Sequence, residues 1–323
     1  MDILLKLFYI LVFPGFLFCF SAGLFLAGID RKIVARMQRR IGPPILQPFY
    51  DFCKLIGKET IVPRAAARRT FLAAPVVGLV SLITIMLFMP ISGFSAFSSV
   101  ADIVVIIYLL TIPGVAIIMG GAASGSPYAG VGLSREMVAM LSYELPLVII
   151  LLTVGKKVGL DSGSISFSFT QIAKYQSVKG SLLTNWSMIP AAIAMLLVIP
   201  CEIGSQPFDI AEAETEICEG PLVEYSGAPL GIFKLNYAIK MFIMTAMFTT
   251  LFLGGIFIDG TGAGIVALNA LILVVVSAVV TIISVSLLKA VTARLKVEQV
   301  FKFYWTVVAG LALVSLVLVW FGL

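Results

Sequence analysis

The sequence predicts an all-α fold: a polytopic membrane helix bundle of about eight transmembrane helices, forming a single membrane domain over residues 1–323. Three observations predict it. Hydrophobic residues make up 60% of the chain and charged residues 12%, against about 25% charged in soluble domains. The apolar residues gather into eight long runs. The Lys and Arg residues divide 17 to 5 between alternate connections.

At about 20 apolar residues per crossing, the runs place spans near 4–29, 71–93, 103–120, 136–154, 187–203, 236–258, 264–288 and 303–321. The first run is too long for a signal-peptide core, and no small-residue cleavage site follows it. Pro113 interrupts the third. Gly and Pro inside spans are normal in bilayers, where neighbouring helices satisfy the freed backbone groups. There is no inverted repeat of the kind that builds secondary transporters.

Loop 1 carries Arg31, Lys32, Arg36, Arg39, Arg40, Lys54, Lys58, Arg64, Arg68 and Arg69. Arg135, Lys234, Lys240, Lys289, Arg294, Lys296 and Lys302 fall on the same side, whereas Lys6, Lys156, Lys157, Lys174 and Lys179 fall on the other. The positive-inside rule then puts loops 1, 3, 5 and 7 in the cytoplasm and both termini outside, as an even span count requires. The expected location is the plasma membrane.

Several functions are excluded. Histidine is absent, and Cys19, Cys53, Cys201 and Cys218 form no C-x-x-C pair. Such a chain supplies no haem, iron–sulfur cluster or typical zinc site by itself, so no cofactor or metal is expected on it. Phosphate-binding loops and nucleophile elbows are absent. The net charge of +5 belongs to membrane loops and does not indicate nucleic acid.

Three features exceed a plain bundle. The first is the cytoplasmic loop over 30–70. Its Gly42-Pro43-Pro44 turn precedes a stretch with Leu46, Phe49, Tyr50, Cys53 and Ile56 at helical spacing and Asp51, Lys54 and Lys58 on other faces. Such a helix lies in the membrane interface plane. A basic anchor and a docking platform both account for it.

The second is the acidic loop over 202–235, with Glu202, Asp209, Glu212, Glu214, Glu216, Glu219 and Glu224 and no base before Lys234. Asp209, Glu212, Glu216 and Glu219 would share an arc of roughly 80° on a helix. Like charges that close cannot all ionise, so some proton affinities rise towards neutrality. A solvated acidic loop is the plainer alternative, but Pro207, Phe208, Pro221 and Tyr225 favour a packed one.

The third is the pair Glu136 and Glu144 in the fourth span, about 80° and some 12 Å apart along a helix. Intramembrane carboxylates are costly and are candidate proton-relay groups. Glu136, beside Arg135, fits a surface pair equally well. A satisfied structural carboxylate is the alternative for Glu144.

The run Gln206-Pro207-Phe208-Asp209, then Glu212-Ala213-Glu214-Thr215-Glu216, then Glu224-Tyr225-Ser226-Gly227 resembles the H-subunit family of respiratory complex I. Arg40, Gly42-Pro43, Leu46-Gln47-Pro48, Asp51, Lys54 and Lys58-Glu59 match it as well. Two departures stand out. The loop 1 segment is shortened to Arg40-Ile41-Gly42-Pro43-Pro44, and Lys234-Leu235-Asn236-Tyr237 lacks the carboxylate of an Ala-Glu-Tyr motif. Both resemble relatives in membrane-bound [NiFe]-hydrogenases and related energy-converting complexes, and point away from a lipid quinone.

The resemblance implies a membrane anchor beneath a peripheral electron-transfer arm. Hydrogenase-like and iron–sulfur subunits would carry the [NiFe] centre and the clusters, and antiporter-like membrane subunits would adjoin this chain. Docking would fall to Arg36, Arg39, Arg40, Gly42, Pro43, Gln47, Asp51 and Lys54. Proton coupling would fall to Glu136, Glu144 and the acids of loop 5.

Overall fold

The computed structural model describes residues 2–90, 102–159, 165–258, 260 and 262–322. Eight helices are long and apolar enough to cross a membrane: Leu4–Met37, Arg68–Phe88, Ile103–Ser124, Pro127–Gly159, Trp186–Ile203, Gly227–Phe252, Ala263–Val291 and Val297–Trp320. No strand occurs among the described residues. An all-helical solution follows from the solvent, because a helix satisfies its own backbone polar groups where no water can.

The expected spans are all present, with shifted ends; residues 91–93 of the expected second span lie outside the described residues. The first span breaks at Phe13-Pro14 and continues past residue 29 to Met37, so Arg31, Lys32 and Arg36 ride on its last turns. Pro113 does not divide the third span, which is helical throughout Ile103–Ser124. The fourth begins at Pro127, leaving Gly125 and Ser126 as the whole of loop 3. The sixth begins at Gly227, nine residues before the apolar run suggests, and takes Lys234 into the helix that already carries Lys240.

That sixth span is the axis of the molecule. Its most apolar window is 94% buried, and it packs on the first, second, fifth and seventh spans. Close approach needs small residues. A Cβ on Gly23 would lie 2.9 Å from the Ala238 carbonyl oxygen.

Loops 1, 3, 5 and 7 gather at one end of the bundle. The Ala67 N–H donates to the Ala123 carbonyl, Ile61 N–H to Ser226 Oγ, and Arg294 to Asp209. The Tyr225-Ser226-Gly227 motif is a structural clamp here. Pro75 has no N–H, so the carbonyl of Phe71, four residues earlier, loses its helical donor. The buried Tyr225 hydroxyl donates to that oxygen at 2.9 Å, and its ring stacks on Phe71 with centroids 4.0 Å apart. Gly227 has φ +62°, and a Cβ there would meet the Glu59 carbonyl oxygen at 2.7 Å.

Removing a donor from a buried carbonyl inside a membrane bundle costs about 1 kcal/mol. Tyr225→Phe should therefore lower the thermal midpoint of the detergent-solubilised protein by a few degrees while the fold is retained. An unchanged midpoint would remove the clamp's role.

Candidate functional site

Where the first, sixth and seventh spans meet the helix Gln47–Ile56 and loop 5, they enclose a cavity of about 340 Å³. Its wall carries the carboxylates Asp30, Asp51, Asp209, Glu212 and Glu219 and the cations Arg31, Lys234, Lys289 and Arg294. Three carboxylates are matched to cations. Arg31 donates to Asp51 at 2.8 Å, Lys289 to Asp30 at 3.2 Å, and Arg294 grips both oxygens of Asp209 at 2.8–3.1 Å.

For Asp51, partial burial opposes ionisation, but hydrogen bonds from Arg31 and Gln47 and the charges of Arg31 and Lys234 hold it below the usual carboxylate range. Glu212 behaves oppositely. Burial first, then the carboxylates of Glu136, Asp209 and Glu219, push it up to about 7, and Lys234 only partly offsets them. It is poised to exchange a proton near neutrality.

Deeper in the bundle lies a second charged set. Lys240 of the sixth span and Glu202, in the last turn of the fifth, are 2.9 Å apart, with side chains 8% and 2% exposed. Tyr143 lies within electrostatic reach of Glu202, and its ring centre is 6.0 Å from the Lys240 ammonium. Glu136 feels the charges of both Glu202 and Lys240, and it also feeds the charge environment of Glu212. Glu144, half-buried between exposed Leu141 and Leu145 on the outer face, is likewise within electrostatic reach of Glu202 and Lys240. Each group thus lies within electrostatic reach of the next in a row: Glu212 in the cavity wall, Glu136, Glu202 with Lys240, and Glu144.

Several expectations need correction. Asp209, Glu212, Glu216 and Glu219 do not share a helix face. Loop 5 has the short α-helix Glu214–Ile217 and a 3-10 turn at Gly220–Leu222, and Cys218 and Glu219 between them have φ of 50° and 68°, which breaks any helical register. Cations from elsewhere in the chain draw the acids apart: Arg294 of loop 7 takes Asp209, and Arg135 of the fourth span donates to Glu216 at 2.6 Å. Glu202 is not a loop residue but a buried helical one. Glu136 does not form the surface pair with Arg135. Glu224 is half-buried beside Tyr225, and the side chain of Glu214 lies outside the described residues.

The helix in loop 1 forms over Gln47–Ile56, with a different inward face from the one its spacing suggests. Phe49 and Phe52 pack edge-on against Phe20, and Leu55 closes over Gly231. Leu46, Tyr50, Cys53 and Ile56 point outward. Arg36, Arg39, Arg40 and Lys54 are exposed, and Arg39 is left-handed with φ 56°. Gly42 and Pro43 fold the chain back, with Gly42 close against Ala35. Gln47 and Asp51 are bonded to each other, and Asp51 faces the cavity.

Lys240 is the functional residue that sequence reasoning undervalues, since it counts there only as a loop charge. The signal is present: an ammonium inside the apolar run Ile239–Phe242 is costly and needs a partner.

A family model described as NADH dehydrogenase matches residues 8–320. The chain belongs to the NADH dehydrogenase family. Within that family it is 34% identical over 318 residues to the H subunit of the NADH-quinone oxidoreductase of Thermomicrobium roseum, covering 90% of this chain and 89% of the relative. It is 32% identical over 319 residues to the corresponding H subunit of Dehalococcoides mccartyi, covering 96% and 84%. Its structure is similar to a chain of the membrane-bound sulfane sulfur reductase, an archaeal respiratory membrane complex. That match has a TM-score of 0.87 at 28% identity and covers 98% of this chain and 99% of the other. The chain is accordingly a multi-pass membrane subunit of the complex I-like type.

Two outcomes follow from the charges. Leaving Glu202 unpaired should cost about 3–5 kcal/mol, so Lys240→Met should sharply lower the thermal midpoint of the solubilised complex. The double variant Lys240→Met with Glu202→Leu should recover most of that loss; failure to recover would disprove the pairing. The fold favours the protonated form of Glu212, so its contribution to stability is full below the ordinary carboxylate range and fades as pH rises through about 7. Glu212→Gln should flatten that fall in a pH series of thermal midpoints.

Proposed function

We propose that this chain docks a peripheral electron-transfer arm on the end formed by loops 1, 3, 5 and 7, and couples electron transfer there to proton or sodium translocation. By the positive-inside rule that end faces the cytoplasm, in the plasma membrane. The exposed bases Arg36, Arg39, Arg40 and Lys54 supply a docking surface. The observation that carries the reading is the row of ionisable groups from the cavity through the buried Glu202–Lys240 pair to Glu144 at the outer face.

The chemistry is electrostatic. A negative charge arriving at the cavity raises the proton affinity of Glu212, and a group with pKa about 7 responds strongly at neutral pH. A change in the charge of Glu212 acts on Glu136, which in turn biases the balance between Glu202 and Lys240. Glu144 presents the result to a neighbouring membrane subunit of the antiporter-like kind. Electrons would come from iron–sulfur and [NiFe] centres held by hydrogenase-like partner subunits, and this chain would hold no cofactor itself.

The whole assembly fits a ferredoxin-linked, hydrogen-evolving hydrogenase, on the shortened loop 1 and the missing Ala-Glu-Tyr carboxylate. The likeness to a sulfane sulfur reductase favours a second reading, in which the same membrane role serves sulfur reduction. The two differ in the soluble catalytic subunit, so nickel in the purified complex separates them. A quinone-reducing complex I ranks behind both, and a stand-alone transporter would purify alone and active.

Glu212→Gln and Glu202→Gln should each depress ion translocation per electron in sealed vesicles while the complex still assembles. Wild-type turnover and pumping in both variants would refute the coupling role.

A further inference from the structure

Two spans each contain one turn of π-helix, Ile282–Ser286 in the seventh and Tyr304–Val308 in the eighth, and both lie against the fifth span. Single π turns are rare and concentrate at functional sites. Here they meet a proline inside the fifth span. Pro200 stands two residues before Glu202 and has no N–H, so the Leu196 carbonyl loses its helical donor. Ser284, buried in the middle of the first π turn, donates its hydroxyl to that oxygen at 2.7 Å. Tyr304, at the start of the second, donates to the Leu197 carbonyl at 2.6 Å.

The same logic holds at Pro75, where Tyr225 supplies the missing donor. At Pro200 the consequence is local to the site, because the last turn carries Glu202 and ends at Gly204 in the left-handed region with φ +76°. An extra residue in a helical turn rotates every later side chain by about 100°. The seventh span can thus aim Ser284 at the Leu196 carbonyl and Ser286 at Asp30 Oδ1, 2.7 Å away in the cavity wall.

We propose that Ser284, assisted by Tyr304, is a positioning residue: by replacing the hydrogen bond that Pro200 removes, it fixes the last turn of the fifth span and holds Glu202 against Lys240. The inference rests on the coupling role above. The titratable and charged groups facing Glu202 are Lys240 from the sixth span, Glu136, Tyr143 and Glu144 from the fourth, Cys201 beside it and Tyr304 from the eighth.

The test uses the assembled complex in sealed vesicles and compares Ser284→Ala, Ser284→Thr, Tyr304→Phe and Glu202→Gln. Ser277→Ala is the control: Ser277 is buried on the same span, and its hydroxyl has no hydrogen-bond partner among the described residues. Ser284→Ala should lower ion translocation per electron about tenfold, the scale of one buried hydrogen bond, and displace the pH midpoint of coupled turnover. Ser284→Thr restores the hydroxyl and should restore both, and Ser277→Ala should match wild type. Tyr304→Phe should displace the midpoint in the same sense and carries the test if Ser284→Ala fails to assemble. If Glu202→Gln uncouples but neither Ser284→Ala nor Tyr304→Phe differs from Ser277→Ala, the positioning role is overturned alone. If Glu202→Gln couples normally, the coupling reading falls and this inference with it.

Discussion

A carboxylate and an ammonium held 2.9 Å apart and almost closed to solvent constrain everything packed around them. Taking two such ions out of water costs several kcal/mol each, and their attraction repays this only in good geometry with further hydrogen bonds. Glu202 and Lys240 meet the geometric condition at 2.9 Å, through a fixed relation between the fifth and sixth spans and with the Tyr143 ring beside the ammonium. The sixth span, the most enclosed helix of the bundle, delivers the ammonium. An ion pair of this kind is weak evidence for stability and better evidence for a charge that has work to do.

The prolines show how the surroundings are kept rigid. Pro75 and Pro200 each free a carbonyl in an environment without water to satisfy it, and each time a hydroxyl from another element takes over. One bond ties loop 5 to the second span, and the other ties the seventh span to the turn that bears Glu202. The loops that enclose the charged cavity and the helices that carry the buried pair are therefore mechanically continuous.

Much of the fold is legible in the sequence because bilayer physics writes it plainly. Eight apolar runs and a 17 to 5 basic split follow from span length and charge placement, and the helices agree with the runs. What is not legible depends on partners remote in sequence. The spacing of Asp209, Glu212, Glu216 and Glu219 suggests one helical face, but Arg294 from loop 7 and Arg135 from the fourth span pull Asp209 and Glu216 apart. The helix over Gln47–Ile56 is visible in its spacing, yet Phe20 and Gly231 decide which of its faces turns inward. Lys240 falls inside the expected sixth span, but it reads as one of the bases around loop 5 because its partner Glu202 is remote in sequence. The raised proton affinity expected in loop 5 is found at Glu212, which burial and neighbouring carboxylates push up to about 7.

The central claim is that the charged row changes protonation when electrons arrive. Reduction-induced infrared difference spectroscopy of the assembled complex reads this directly, through the carbonyl stretch of protonated carboxyl groups. A signal that appears on reduction near pH 7, and is lost or altered in both Glu212→Gln and Glu202→Gln, is the predicted result. An identical signal in wild type and both variants would contradict a coupling role for this row.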